Sequence, residues 1–139
     1  GGGIVNALSL LGDEPFLVLN GDIFTDFPLA DVEPLPDWAD IHLVVTPTPA
    51  FRTQGDFRLH GQRISGRAGA EGIQDTYVYC GIAILRPTLF AGLDARPFSL
   101  RDLFFRAIDE RRISAQVWRG AWTDIGSREQ LERLNRDRA

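Results

Sequence analysis

Lysine is absent from these 139 residues, and so is methionine; cysteine occurs once, as Cys80, and histidine twice, as His42 and His60. Each shortage excludes something. One cysteine forms no intrachain disulfide and fits a reducing compartment such as the cytoplasm. One thiol and two imidazoles offer no zinc-ligand spacing, and a chain without lysine has no P-loop. No apolar run approaches the roughly 18 residues of a membrane helix, and no secretory signal is visible. All fifteen basic residues are arginine, and nineteen acidic residues leave a net charge of −4 and a pI near 5.1. That balance has no surplus to neutralise phosphates, which argues against a nucleic-acid partner. A nascent chain starts with methionine, so a sequence opening Gly1-Gly2-Gly3 is expected to be a piece of a longer protein.

With 44% hydrophobic and 24% charged residues, the chain predicts one α/β domain over 1–139. IVNALSLL (4–11) puts Ile4, Ala7, Leu8 and Leu11 on one helical face. FLVL within 15–20 and IHLVVT (41–46) are short apolar runs, the pattern of strands covered on both faces in a parallel sheet. Between them, 28–40 is a Pro- and Asp-rich connection with one short helical turn. GDFRLHGQRIS (55–65) alternates around a Gly61-Gln62 turn and predicts an antiparallel hairpin. GRAGAEG (66–72) reads as a loop. TYVYCGIAILRP (76–87) is a long strand interrupted by Gly81, where glycine signals a bulge or a close backbone approach. Ser99 can cap a helix carrying Leu100, Leu103, Phe104, Ala107 and Ile108 on one face. ISAQVW (113–118) is a further strand, and Ser127 with Gln130 forms a capping box for a last helix.

Two stretches place a carboxylate just past an apolar segment. In LNGD, Asp22 follows the strand and the turn of Gly21; in WTDIG, Asp124 follows an apolar segment and precedes the last predicted helix. Ligands of open α/β sheets bind at the carboxyl ends of strands, where such residues point. Two carboxylates at one sheet edge can share a Mg²⁺, which takes oxygen ligands and keeps several waters. The plainer alternatives stand beside that reading: Asp22 as a turn cap, Asp124 as a favourable charge at a helix N-terminus. Gly1–Gly3 could cradle a phosphate or a base, although position 6 is Asn6 and the run does not fit G-x-G-x-x-G. His42 lies in a strand and reads as structural.

Taken together, GGGIVNALSLLGDEPFLVLNGDIFTD, QGDFRL, YCGIAILRPTLF, FSLRDLF and RGAWTDIGSREQLERL resemble, in order, the C-terminal two thirds of the sugar-phosphate nucleotidyltransferases. Within that family the muramate-type uridylyltransferase branch is the most similar. The resemblance implies a Rossmann-like, mostly parallel α/β sandwich without its first βα units. It implies transfer of a nucleoside monophosphate from an NTP, here UTP, to a sugar 1-phosphate, here N-acetylmuramate 1-phosphate, with release of pyrophosphate. By the same resemblance Asp22 and Asp124 match the catalytic pair that holds Mg²⁺, Gly2 and Gly3 the glycine loop near the base, and Asn20, Gly55 and Gly81 the sugar contacts.

The chain departs from the family in lacking the G-x-G-x-R-x-x-P-x-T loop and P-K-P that bind the triphosphate. The expectation is therefore that these residues alone are inactive, and that the missing part precedes them or comes from a separate N-terminal chain. There is no E-K-P before Gly81, and Ser99 stands where a lysine is expected beside F-x-L. Two alternatives remain open: a mannose-1-phosphate guanylyltransferase, and a non-catalytic sugar-nucleotide-binding or regulatory subunit.

Overall fold

Ile41 to Val45 alternate toward two apolar layers, and every one of them is fully buried. A strand with no wet face must lie inside a sheet, and this segment, β3 (Ile41–Pro47), lies near the middle of one. The computed structural model describes residues 13–50, 55–69, 75–90 and 99–125, together with 132, 135 and 136. Its strands are β1 (Phe16–Leu19), β2 (Ile23–Thr25), β3, β4 (Phe57–His60), β5 (Arg63–Arg67), β6 (Thr76–Leu85), β7 (Ile113–Val117) and β8 (Trp122–Asp124). The helix α1 (Leu100–Asp109) stands before β7, and short 3₁₀ turns occupy Leu29–Asp31 and Pro87–Phe90. The predicted helix over 4–11, with Gly2 and Gly3, lies outside the described residues; of the helix predicted from Ser127, the described residues 132, 135 and 136 are helical.

Six strands form one sheet in the order β1-β6-β3-β7-β5-β4, and β2 pairs with β8 in a separate ribbon. The sheet is mixed, which corrects the expectation of a mostly parallel one. Among the described strands only β3 and β7 pair in parallel; β6 runs antiparallel to both β1 and β3. The physical reason lies in the connections. The hairpin β4–β5 is joined by a two-residue turn with Gly61 at φ +61°, which can only make antiparallel neighbours. Even so, β1, β3 and β7 all run in one direction, so their carboxyl ends share one side of the sheet. An additional pairing of β4 with the start of β6 curls the sheet back on itself.

β1 was expected to be covered on both faces, but Leu17 and Leu19 are 43% and 49% exposed while Phe16 and Val18 pack inward. GRAGAEG was expected to be all loop, yet Gly66 and Arg67 continue β5 opposite Arg58 and Phe57. The helix behaves as its spacing predicts. Ser99 Oγ accepts from the Arg101 N–H at 3.1 Å, capping α1. Leu103, Phe104 and Ala107 bury one face of α1 against the sheet with Ile41, Leu43, Val45, Phe57, Ile64, Ala83, Leu85, Ile113 and Ala115. Full burial of an aromatic like Phe104 contributes about 1.5–3 kcal/mol. A second, smaller cluster lies on the other side: Phe27, Val44, Cys80 and Ile82, flanked by Ile23, Trp118 and Trp122. That layer seats the β2–β8 ribbon.

Candidate active site

β6 carries two more residues than its partner where the pairing passes from Val45↔Tyr79 to Val44↔Ile82. The two extra residues are Cys80 and Gly81, and because two are inserted the alternation of faces is kept on either side. Gly81 takes φ +86°, a region open to glycine and costly for other residues. Its carbonyl accepts from the Asn20 N–H at 2.8 Å, and a Cβ there would meet the Asn20 and Ile23 side chains at 3.1 Å. The carbonyl of Cys80 accepts from the Trp122 indole N–H at 2.8 Å. One bulge thus fastens the end of β1, the start of β2 and the start of β8.

The ribbon does the rest. β2 pairs with β8 in the register Ile23↔Asp124, Phe24↔Thr123, Thr25↔Trp122. Beyond the last pair, the Ile125 N–H donates to the Asp22 carbonyl at 2.6 Å. Asp124 therefore stands opposite the residue that follows Asp22, although 102 positions separate them in the chain. At the other end, Asp26 Oδ1 accepts from the Ala121 N–H at 2.9 Å, and the Thr25 hydroxyl donates to the Ala121 carbonyl at 2.8 Å. Asn20, Gly21 and Asp22 are exposed at the carboxyl end of β1.

The fold brings together Asn20, Asp22, Gly81 and the Asp124 backbone. Gly55 packs beside Thr48 and Thr76, where a Cβ would run into both hydroxyls, and its neighbour Asp56 reaches the Tyr79 N–H, two residues from Gly81. Gly2 and Gly3 lie outside the described residues. Among the described residues no three His, Cys, Asp or Glu gather into a metal cluster.

Two other buried polar groups belong to the structure. His42 sits in β3, with Nδ1 2.7 Å from the Ser114 hydroxyl and Nε2 2.8 Å from Gln116 Oε1. That oxygen also accepts from the Glu33 N–H, and the Gln116 amide nitrogen donates to the Asp31 carbonyl, which fixes the amide's orientation. Facing an acceptor, Nε2 carries the proton and Nδ1 accepts from Ser114. Burial holds the His42 imidazole below its usual range. The Cys80 thiol is pushed up to about 12 by burial, which leaves it an inert packing group.

Sequence reading missed the anchors. Trp122 reads in the sequence as packing, and Asp26 carries no signal beyond following Asp22 by four positions; the bonds they make depend on the ribbon.

No family model matches the chain. It is 34% identical over 131 residues to the N-acetylmuramate α-1-phosphate uridylyltransferase of Neisseria meningitidis serogroup B, covering 91% of this chain and 56% of that protein. It is 31% identical over 135 residues to the protein of the same name from Caulobacter vibrioides, covering 91% and 55%. The chain thus spans about half the length of the curated relatives it matches. Among solved structures, the inositol-1-phosphate CTP transferase of T. maritima superposes with a TM-score of 0.70 at 16% identity, over 91% of this chain and 55% of that one. The fold is that of the sugar-phosphate nucleotidyltransferases. Of the expected positions, the backbones of Asn20, Asp22, Gly81 and Asp124 meet at one bulge-and-ribbon junction, and Gly55 lines the adjoining cleft. Among the described residues no helix is long and apolar enough to cross a membrane.

Proposed function

We propose that the protein containing this chain transfers UMP from UTP to N-acetylmuramate 1-phosphate, releasing pyrophosphate, with Asp22 and Asp124 holding Mg²⁺. The observation that carries this reading is the ribbon register, Ile23 opposite Asp124, closed by the 2.6 Å bond from Ile125 N–H to the Asp22 carbonyl. It supports a shared task for two aspartates that the sequence separates widely. The sequence likeness to two proteins named as uridylyltransferases supports the choice of nucleotide and sugar.

In the reaction, an oxygen of the sugar phosphate attacks the α-phosphorus of UTP in line. The bond from that phosphorus to the α–β bridging oxygen breaks, and pyrophosphate leaves with the electron pair. Both partners are anions, so the obstacle is charge repulsion rather than bond chemistry, and positioning with electrostatic stabilisation supplies most of the catalysis. A bound Mg²⁺ would neutralise phosphate charge and fix the geometry of displacement. Asp22 and Asp124 would present the carboxylates. Asn20 and Gly81 would border the sugar, with the Asn20 backbone N–H already held by the Gly81 carbonyl and its side chain left for the ligand. Gly55 would face the sugar from the cleft, and Gly2 and Gly3 the base. The triphosphate would be held by residues beyond this chain, on a preceding segment or a separate N-terminal chain, and the reaction would belong to cytoplasmic recycling of peptidoglycan sugars.

The test is pyrophosphate release by the full-length protein with UTP, N-acetylmuramate 1-phosphate and Mg²⁺. Asp22→Asn and Asp124→Asn should each lower kcat by about a hundredfold or more and weaken Mg²⁺ binding measured separately by calorimetry. Unchanged Mg²⁺ affinity in both variants would remove the metal assignment. Release with GTP and mannose 1-phosphate in place of these substrates would favour the guanylyltransferase alternative.

A further inference from the structure

A cleft of about 510 Å³ opens beside Gly55, lined by Gly55, Asp56, Arg67, Ala68, Gly69 and Arg101. Its charge is unbalanced: two guanidiniums face one carboxylate. Asp56 is already engaged, with Oδ2 accepting from the Tyr79 N–H at 3.0 Å and Oδ1 3.6 Å from Arg101. Arg67 pairs with no carboxylate among the described residues. Its guanidinium carbon lies 4.0 Å from the centre of the Phe105 ring, and that of Arg101 lies 5.6 Å from the same ring. Contact with one aromatic ring reduces the freedom of both side chains while leaving their N–H groups available. A planar guanidinium so held is suited to a planar carboxylate, which it can meet with two parallel hydrogen bonds.

The cleft is also placed usefully. Asp56 reaches Tyr79, two residues from the Gly81 bulge, so this wall lies about 7 Å along β6 from the sugar-bordering junction. We propose that Arg67 and Arg101 form a carboxylate subsite that reads an acidic substituent on the sugar, the lactyl ether of an N-acetylmuramyl group. This rests on the substrate reading above and deepens it. The net surplus of one positive charge suits a monoanion; a phosphate dianion would be opposed by the Asp56 carboxylate within the same cleft. Nothing in the linear sequence singles these residues out, because arginines 34 positions apart meet only around the Phe105 ring.

The experiment titrates the full-length protein with N-acetylmuramate and with N-acetylglucosamine, two sugars that differ by the lactyl ether, and follows binding by NMR. Wild type should bind the acid at least tenfold more tightly. Arg67→Gln should remove that preference and leave N-acetylglucosamine affinity unchanged, and Arg101→Gln, at another exposed position, should act in the same direction. Equal binding of both sugars by wild type, with nucleotidyl transfer intact, would overturn the subsite and spare the activity. Selective binding that depends on Arg67, with no transfer from any sugar 1-phosphate, would support the subsite and sink the activity. If Arg67→Gln weakens N-acetylglucosamine 1-phosphate as much as N-acetylmuramate, the pair reads phosphate, and the carboxylate proposal fails.

Discussion

Replacing Gly81 by alanine tests the junction most directly. At φ +86° an L-residue is strained, at a cost of about 1–2 kcal/mol. The new methyl would also stand 3.1 Å from Asn20 Cβ and from Ile23 Cγ2, tighter than ordinary contact. Both neighbours are held by backbone pairing, Asn20 to the Gly81 carbonyl and Ile23 to Asp124, so neither can withdraw without breaking a ladder. Overpacking of this kind adds about 1–3 kcal/mol. The expected loss is therefore about 2–5 kcal/mol, and Tm should fall by roughly 2–4 °C for each kcal/mol. Gly21→Ala is the internal comparison. It lies one turn away in the same junction, but a Cβ there meets nothing within 4 Å, and the change should stay within about 0.5 kcal/mol. Urea unfolding of the two variants, followed by tryptophan fluorescence, gives the difference. If Gly81→Ala and Gly21→Ala agree within about 0.5 kcal/mol, the bulge does not constrain Asn20 and Ile23 as argued.

Two further outcomes follow from the core. His42 is held neutral by burial, with its folded pKa below the 6.5 of the free group. Below pH 6.5 the unfolded chain takes up a proton that the folded chain resists, so stability should be complete above that pH and decline beneath it, by at most roughly 1.4 kcal/mol per pH unit. Urea midpoints between pH 5 and 7 should show this slope in wild type and not in His42→Gln. Phe104 is 1% exposed, with its ring edge-on to Tyr79 at 5.2 Å. Phe104→Ala should cost about 3–5 kcal/mol, read from the same denaturant curves, and a loss under about 1 kcal/mol would show that α1 is not the lid of this core.

Much of the fold was written locally. The 3.6-residue spacing of Leu100, Leu103, Phe104 and Ala107 after Ser99 specified an amphipathic capped helix, and the apolar run at 41–46 specified a strand without a wet face. Gly81 announced an irregularity in β6, and Asp22 and Asp124 each announced a carboxylate beyond an apolar segment. These signals survive in one dimension because periodicity, capping and glycine conformations involve residues a few positions apart.

Strand direction, partner and register were not available in that form. The same apolar pattern serves a parallel or an antiparallel neighbour, so β1 could be mistaken for a doubly covered parallel strand until its pairing with β6 left Leu17 and Leu19 outside. That Asp124 faces the residue after Asp22, that Cys80 holds Trp122, and that Arg67 and Arg101 share the Phe105 ring are consequences of register between segments up to about a hundred residues apart. The sequence alone determined where carboxylates, glycines and arginines lie along the chain and which local elements carry them. Only the tertiary structure decided which of them stand together, because long-range pairing is fixed by the summed burial of two apolar layers rather than by any motif.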